Sequence, residues 1–265
     1  MAASPTIVVF DSGLGGLTVF REIAAARPDA DFLYVADDAG FPYGALAERT
    51  LISRVVMLIN ELIAAHRPDL VVIACNTAST LVLPALRQKF QVPFVGTVPA
   101  IKPACAASVT RHVSVLGTEG TVAREYTRAL IHDYAGDCQV TLVGSKKLAA
   151  YAEDDIAGRP VSDAVLCDEI APAFVDDGSR TDTIVLACTH YPLLLDRLRR
   201  VSPWPVSFID PAPAIARRVV NLLGTSQSGA PTGTARAIFT SGQPPAAVLA
   251  RFGIGANTAA ATEAN

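Results

Sequence analysis

The sequence has few cysteines, and none of them lies in a spacing typical of metal or redox sites. Five cysteines occur in 265 residues, an odd number that does not suit a disulfide framework, and no CxxC or CxxH pattern is present. We therefore expect reduced thiols and no metal site. No lysine motif of the kind that holds pyridoxal phosphate is visible either.

Charged residues make up only 18% of the chain, and the 22 basic residues form no cluster among 25 acidic ones. A net charge of −3 argues against nucleic acid as the primary ligand.

Uninterrupted apolar segments are also lacking, because charged residues and His66 break the stretch around residues 51–75. The first residues carry no basic region typical of a signal peptide. The sequence therefore predicts a cytoplasmic protein with no membrane partner, and it leaves the oligomeric state open, with a homodimer as one option.

Hydrophobic residues make up 51% of the chain, enough to bury two cores of ordinary size. Runs rich in β-branched residues alternate with segments whose apolar residues recur at helical spacing, a pattern that predicts an α/β fold with mainly parallel sheets. The predicted strands are residues 7–10, 32–35, 70–74, 94–95, 113–116, 140–143, 184–187, 208–209 and 235–241. The predicted helices include residues 45–66, 79–90, 122–134, 162–175, 193–200 and 244–252.

The chain contains an internal repeat. Residues 69–87 resemble residues 182–200, residues 94–101 resemble 208–215, and residues 7–13 resemble 113–119, in the same order. Buried parallel strands look alike in general, but that alternative explains the shared Ala-Cys and Pro-Ala-Ile identities less well. The repeat predicts two similar α/β domains, 1–97 with 208–255 and 98–207, because Pro-containing segments near 97–100 and 207–212 are suited to chain crossings. Residues 256–265 are predicted to be a disordered tail.

Candidate functional residues follow predicted strands, where ligands of open α/β sheets bind. Asp11-Ser-Gly-Leu-Gly-Gly follows the first strand and can offer backbone N–H groups to an anion, although this signal alone is weak. Pro-Tyr43-Gly44 is weaker still, since a plain turn would explain it. Cys75-Asn-Thr and Cys188-Thr-His-Tyr-Pro are stronger, because each places a thiol at the end of an apolar strand.

A cysteine at such a position is more often a small buried hydrophobe, but two equivalent cysteines favour a function. Near neutral pH a perturbed thiol can both take and give a proton. Two thiols facing opposite sides of a carbon acid could therefore remove a proton from one face and return it to the other. Asp11 could tune Cys75, and His190 could tune Cys188. We interpret Cys105, Cys138 and Cys167 as structural, and His66, His112 and His132 as solvated.

Taken together, these four motifs resemble those of the glutamate racemases of bacterial cell-wall synthesis, in order and spacing, from about residue 7 to residue 252. The resemblance implies two flavodoxin-like domains related by pseudo-symmetry, a site in the cleft between them, and cofactor-independent interconversion of L- and D-glutamate. It implies that Cys75 acts on D-glutamate and Cys188 on L-glutamate, with Asp11 and His190 as their polar partners. The substrate-binding positions that it implies are Ser12, Tyr43, Gly44, Asn76, Thr77, Thr118, Thr121 and Thr189.

Glu153 matches an acidic position that some members place near the second thiol. The preceding segment, Val143-Gly-Ser-Lys-Lys-Leu, departs from the Cys-Pro-Leu form of many members, so a solvated acidic helix at residues 153–155 is an equal alternative. Two other functions remain open. One is racemisation of aspartate or a related acid, and the other is a binding or regulatory role, such as an action on DNA gyrase, without catalysis or in addition to it.

Overall fold

The structure is a computed structural model that describes residues 4–226, 232–240 and 246–255. Strands and helices alternate, as the sequence predicts. The strands are β1 (Thr6–Asp11), β2 (Asp31–Ala36), β3 (Leu70–Ile73), β4 (Phe94–Gly96), β5 (His112–Thr118), β6 (Gln139–Ser145), β7 (Thr183–Ala187), β8 (Ser207–Ile209) and β9 (Ala235–Phe239). The helices are α1 (Leu17–Ala26), α2 (Glu48–His66), α3 (Asn76–Lys89), α4 (Ile101–Ala107), α5 (Glu119–Val122), α6 (Glu125–Tyr134), α7 (Leu148–Ile156), α8 (Asp163–Ile170), α9 (Leu195–Val201), α10 (Ala212–Leu223) and α11 (Ala246–Ala250).

The strands form two parallel sheets, with the orders β4-β3-β1-β2-β9 and β8-β7-β5-β6. The α/β prediction is confirmed. Both sheets contain the 2-1-3-4 strand arrangement of flavodoxin-like folds, and β9 adds one strand to the first. The register repeats as well: Ile7 lies opposite Leu70 in the first sheet, and the matching Val113 lies opposite Thr183 in the second. This agreement supports the internal repeat inferred from the sequence.

The chain divides into two compact units, one formed by Met1–Thr97 with Ala212–Asn265 and the other by Val98–Pro211. The predicted return to the first domain at residue 208 is wrong by a few residues. β8 pairs with β7, so residues 208 and 209 belong to the second sheet, and the return falls at the start of α10. The predicted tail, residues 256–265, lies outside the described residues.

Each unit has its own hydrophobic core. In the first unit, side chains from β1 and β3 pack with α2 and α3, and this core includes Cys75 and Tyr43. In the second unit, side chains of β5 and β7 pack against α4, around Cys105 and Ala187. No helix in the described parts of the chain is long and apolar enough to cross a membrane.

The first turn of α3 corrects one predicted boundary. The apolar periodicity placed the helix start at residue 79, but α3 begins at Asn76, immediately after Cys75. Three of its first four residues, Asn76, Thr77 and Ser79, are polar and buried, so apolar spacing could not reveal them. The Ser79 hydroxyl donates to the Ile73 carbonyl and accepts from Thr97 N–H at 2.8 and 3.0 Å. Asn76, the helix's first residue, therefore follows the thiol directly.

Candidate active site

The candidate residues lie at equivalent strand ends in the two units. In the first sheet, β1 and β3 are neighbours at the point where the strand order reverses, and they lead to Asp11 and to Cys75. In the second sheet, β5 and β7 are neighbours at the same kind of point and lead to Thr118 and Cys188. Parallel α/β sheets bind ligands at such reversal points. Each unit therefore carries a thiol at the position where its fold favours a site.

In the first unit, Cys75 lies beside the loop that follows β1. The Ser12 hydroxyl donates to Cys75 Sγ at 3.7 Å, and Cys75 is only 6% exposed. Asp11 is completely buried and accepts the Gly13 N–H at 2.9 Å, which fixes the turn that carries Ser12. The Tyr34 hydroxyl holds the same turn by donating to the Gly13 carbonyl at 2.6 Å.

Gly16 lets this loop approach Asp11 closely. A Cβ atom at residue 16 would lie 2.5 Å from Asp11 Cβ, a distance that real Cβ atoms essentially never show, and a tight 3.1 Å from the Tyr34 hydroxyl. The last glycine of the Asp11-Ser-Gly-Leu-Gly-Gly motif is therefore required by packing against the site. Tyr43 is buried and Gly44 half-buried in a short 3₁₀ turn, Tyr43–Ala45, which contacts α3.

Asn76 and Thr77 form the buried N-terminus of α3, directly after Cys75. Both side-chain atoms of Asn76, Oδ1 and Nδ2, are buried without a hydrogen-bond partner among the described residues. A buried amide left in this state costs about 1–3 kcal/mol, so it needs an explanation such as a functional role or a bound partner. The adjacent helix N-terminus favours a negatively charged group. Asn76 thus gives the first unit a place for a polar, anionic ligand.

In the second unit, Cys188 lies at the end of a hydrogen-bonded chain of side chains. Cys188 Sγ is 3.7 Å from His190 Nδ1, and His190 Nε2 is 2.8 Å from Glu153 Oε1. Burial alone would lower the pKa of His190, but its hydrogen bonds to Cys188 and Glu153 outweigh burial and raise the pKa well above the usual value. A protonated His190 stabilises the Cys188 thiolate. This half of the site can therefore hold a base.

Glu153 thus reaches His190, whereas its neighbours in the acidic stretch face other partners. Asp154 pairs with Arg159 at 2.8 Å, and Asp155 pairs with Arg197 at 2.6 Å. All three acidic residues are partly buried and ion-paired, so the stretch is not a purely solvated surface. The contact places Glu153 beside His190, and its part in a reaction stays a prediction.

The remaining candidates of the second unit lie at the ends of β5 and β7. The Thr118 hydroxyl accepts the Thr121 N–H at 3.1 Å, and the two hydroxyls are 3.0 Å apart. Thr121 is fully buried, and so is nearly all of Thr189, between Cys188 and His190 in the chain. These hydroxyls surround the carboxyl ends of the two strands.

Two features of the neighbourhood were missed from the sequence. Asp37, directly after β2, binds Arg54. Its position at the end of a strand could have marked Asp37 as a candidate in the sequence. The Ser145 hydroxyl donates to Glu169 at 2.5 Å and accepts the N–H of Leu148, the first residue of the helix that carries Glu153, at 2.9 Å. Ser145 lies in the segment that departs from the Cys-Pro-Leu form, and apolar spacing gave no signal for this contact.

The other cysteines and histidines lie away from these strand ends. Cys105 is buried in α4, and burial with a hydrogen bond to Cys138 raises its pKa to about 12. Cys167 is exposed on α8. His132 is exposed, as predicted, but His112 is largely buried at the start of β5, 3.5 Å from Asp177, because β5 is central to its sheet. No group of three or more potential metal ligands occurs within residues 4–226, 232–240 and 246–255.

Comparison with known proteins defines the class of the chain as an amino-acid racemase, an isomerase. The sequence pattern of the Asp/Glu/Hydantoin racemase family matches residues 16–219. The chain belongs to this family. A glutamate racemase of Brucella anthropi is 57% identical over 223 residues, which cover 83% of this chain and 80% of the relative. A glutamate racemase of Agrobacterium fabrum is 52% identical over 90% of this chain and 88% of its own.

Solved structures of the family have the same fold. Glutamate racemase of Escherichia coli, in complex with L-glutamate and the activator UDP-MurNAc-ala, is 38% identical, covers 97% of both chains and has a TM-score of 0.87. The Thermus thermophilus glutamate racemase in complex with beta-chloro-D-alanine is 27% identical, covers 98% of both chains and has a TM-score of 0.77. The resemblance inferred from the four motifs is confirmed.

Proposed function

We propose that this protein interconverts L- and D-glutamate without a cofactor, by proton transfer between the substrate's α-carbon and two cysteines. The observation that carries the proposal is the equivalent placement of Cys75 and Cys188, each at the end of the same strand in two copies of one α/β arrangement. Relatives that are 52–57% identical are named glutamate racemases, and the E. coli enzyme binds L-glutamate.

In the proposed reaction, the Cys188 thiolate removes the α-proton of L-glutamate, and the Cys75 thiol delivers its proton to the opposite face of the carbanion. The product is D-glutamate, and the thiol and thiolate have exchanged roles. D-glutamate reacts in the reverse sense, with Cys75 as the base. The mechanism requires both thiols to act on the same substrate molecule.

Each thiol has a polar side chain beside it that can form a hydrogen bond to its sulfur atom. His190, protonated and hydrogen-bonded to Glu153, stabilises negative charge on Cys188. Ser12 donates to Cys75, and Asp11 holds the turn that carries Ser12. These differences give the two thiols distinct environments, as two substrates of opposite hand require.

We further propose that the substrate carboxylates are held by hydroxyls, amides and backbone N–H groups. The Asn76 amide and the N-terminus of α3 fit one carboxylate, because a preorganised set of dipoles can stabilise charge that develops in the transition state. The remaining contacts are those proposed from the motifs: Ser12, Tyr43, Gly44, Thr77, Thr118, Thr121 and Thr189.

We assign the biological role to the supply of D-glutamate for peptidoglycan, in the cytoplasm. The sequence resemblance to enzymes of cell-wall synthesis supports the role. The five cysteines are free, in keeping with a reducing compartment.

A chiral assay in heavy water tests the mechanism. The purified protein, with no added cofactor, should convert each enantiomer of glutamate to product labelled at the α-carbon. Cys75→Ser and Cys188→Ser should each lower the racemisation rate about 10²- to 10⁴-fold, because each removes one proton-transfer group. Cys167→Ser, an exposed cysteine on α8, is the matched control and should retain the activity. Full activity in either active-site variant would refute the two-thiol mechanism.

The alternative substrate is aspartate or a related acid. The Thr-His-Tyr sequence after Cys188 favours glutamate. Comparing kcat/KM for the two amino acids under the same conditions decides between them, and a higher value for aspartate would reject glutamate as the substrate.

A further inference from the structure

Asp37 is a completely buried carboxylate that follows β2 directly. Its Oδ2 accepts hydrogen bonds from the Tyr43 hydroxyl at 2.5 Å and from Arg54 Nε at 2.6 Å. Its Oδ1 accepts from Arg54 Nη2 at 2.6 Å and from the Thr240 hydroxyl at 2.7 Å. Three side chains from separate segments therefore converge on one carboxylate.

The chain between Asp37 and Tyr43 fits closely against this ion pair. A Cβ atom on Gly40 would lie 2.8 Å from both Arg54 Nε and Tyr43 Cε1, and 2.9 Å from Asp37 Oδ2. The Thr240 hydroxyl also accepts the Ala39 N–H at 3.0 Å. The loop's path is thus set by the ion pair and by the end of β9.

The protonation states of Asp37 and Tyr43 decide which of them donates the hydrogen bond between them. Burial raises the pKa of Asp37, but its hydrogen bonds from Arg54, Tyr43 and Thr240 outweigh burial and lower the pKa below the usual value. Asp37 is therefore an acceptor only, and the Tyr43 hydroxyl must use its single proton to donate to it. Burial and the charge on Asp37 raise the pKa of Tyr43, so that proton stays in place. The hydroxyl has no proton to offer elsewhere.

Tyr43 links this cluster to the first thiol. It packs in the same buried core cluster as Cys75, and its 3₁₀ turn contacts α3, the helix that begins after the thiol. Cys75 is almost fully covered. A loop that lost its anchor at Asp37 would move away from Cys75 and from Asn76.

A second bidentate Arg–Asp pair lies near the opposite end of the same strand. Arg27 binds Asp29 through Nε and Nη2 at 2.9 and 2.8 Å, just before β2 begins, and Arg27 is 4% exposed. This pair lies at the amino end of β2, whereas Arg54 and Asp37 meet at the carboxyl end. Substitution of Arg27 therefore serves as a control, because it removes a similar ion pair at the other end of β2.

We propose that Asp37 and Arg54 are positioning residues that hold the Tyr43–Gly44 turn against Cys75 and thereby set the affinity for substrate. This inference rests on the proposed racemisation of glutamate for its kinetic readout. Asp37 and Arg54 contribute no proton to the reaction, and Tyr43 contributes its placement.

Arg54→Gln tests the inference, with Arg27→Gln as the matched control. Arg54→Gln should raise KM for both enantiomers by at least about fivefold and change kcat by less than about threefold, since a displaced loop weakens binding. Arg27→Gln should lower the melting temperature without changing KM. Arg54→Lys, which keeps the charge but not the bidentate geometry, should give an intermediate KM. Equal effects of Arg54→Gln and Arg27→Gln on KM, or no effect of Arg54→Gln, would overturn the proposal.

A second measurement does not depend on activity. The rate at which iodoacetamide alkylates Cys75, followed by mass spectrometry of its peptide, should rise at least about fivefold in Arg54→Gln and stay unchanged in Arg27→Gln. An unchanged rate in Arg54→Gln would overturn the inference even if the wild-type protein did not racemise glutamate, an outcome that would separately reject the proposed function. Tyr43→Phe should behave like Arg54→Gln, and a fall in kcat of about 100-fold or more would show instead that the hydroxyl delivers a proton.

Discussion

His190 and Glu153 are joined by a hydrogen bond of 2.8 Å between Nε2 and Oε1, while the other ring nitrogen of His190 faces Cys188. The carboxylate belongs to α7, and the histidine follows β7. A helix and a strand end of the second unit thus combine to set the charge beside one thiol. In the first unit, the group beside the thiol is a neutral hydroxyl, because Ser12 donates to Cys75.

Glu153→Gln should change the pH dependence of the reaction that starts from L-glutamate. Glutamine keeps an oxygen that can accept the Nε2–H but removes the charge that helps to raise the pKa of His190. His190 should then lose its proton at lower pH, so the alkaline limb of the kcat/KM profile should move to lower pH. Asp154→Asn, on the same helix but paired with Arg159, is the control. A profile that is the same in wild type and Glu153→Gln would exclude this role.

Asn76→Ala should weaken substrate binding and yet make the free protein more stable. The variant removes a buried amide that has no partner in the described structure, so we expect the free energy of unfolding to rise by about 1 kcal/mol while KM rises at least about tenfold. Urea unfolding and steady-state kinetics measure the two effects. Ser79→Ala, one turn along α3, removes a hydroxyl with two hydrogen bonds and should lower stability with little change in KM. A loss of stability in Asn76→Ala would show that the amide is already satisfied.

Gly16→Ala should damage the first half-site. The new methyl group would overlap Asp11 and crowd the Tyr34 hydroxyl, so the loop that carries Ser12 must move. We expect a loss of about 1–3 kcal/mol in stability and a fall in kcat/KM of at least about tenfold. Gly255→Ala, where no atom lies within 4 Å of the new methyl group and φ is not positive, provides a comparison in which activity should be retained. Wild-type kcat/KM in Gly16→Ala would show that the close approach has no functional importance.

Asp182→Asn should lower stability in a pH-dependent way. Despite some burial, hydrogen bonds from Ser108, from Thr183 and from the backbone N–H groups of residues 109 and 110 lower the pKa of Asp182 to about 2. Because the pKa is lower in the folded state, the stabilisation is present above the unfolded pKa of about 4 and is lost as pH falls through about 2. We expect a difference of about 1 kcal/mol between wild type and Asp182→Asn at pH 7, after allowance for solvent screening, and a smaller one near pH 2. Urea unfolding at several pH values measures it, and a constant difference would contradict the assignment.

Asp69 is the natural comparison for Asp182, since the two residues match in the internal repeat. Asp69 accepts the Thr6 N–H at 2.7 Å at the corresponding place in the first unit. It is exposed and accepts fewer hydrogen bonds than Asp182, so Asp69→Asn should cost less stability at pH 7.

Much of the fold could be predicted from the sequence, because buried parallel strands are short apolar runs that end at polar residues. The candidate residues Cys75 and Cys188, with their immediate neighbours, could also be found from the sequence. Each group is contiguous in the chain and directly follows a strand, so its position at the strand end is determined locally. Arg54 could not be found in this way. It belongs to an amphipathic helix, where a half-buried arginine looks like any solvated one until its partner Asp37 is located.

The same limit explains the errors at boundaries. The first turn of α3 contains buried polar residues, such as Asn76 and Ser79, and apolar spacing does not record them. The return to the first unit depends on whether β8 pairs with β7, which is a long-range choice between similar apolar segments. The Glu153 contact likewise joins residues 37 positions apart in the chain.

The position of β9 has a consequence for how the protein is made. The ribosome releases residues 98–211, with all four strands of the second sheet, before the last strand of the first sheet exists. Only when β9 arrives can Thr240 reach Asp37 and complete the anchor of the Tyr43 turn. Translation that stops before residue 240 would thus supply every strand of the second sheet while Asp37 in the first unit still lacks its contact with Thr240.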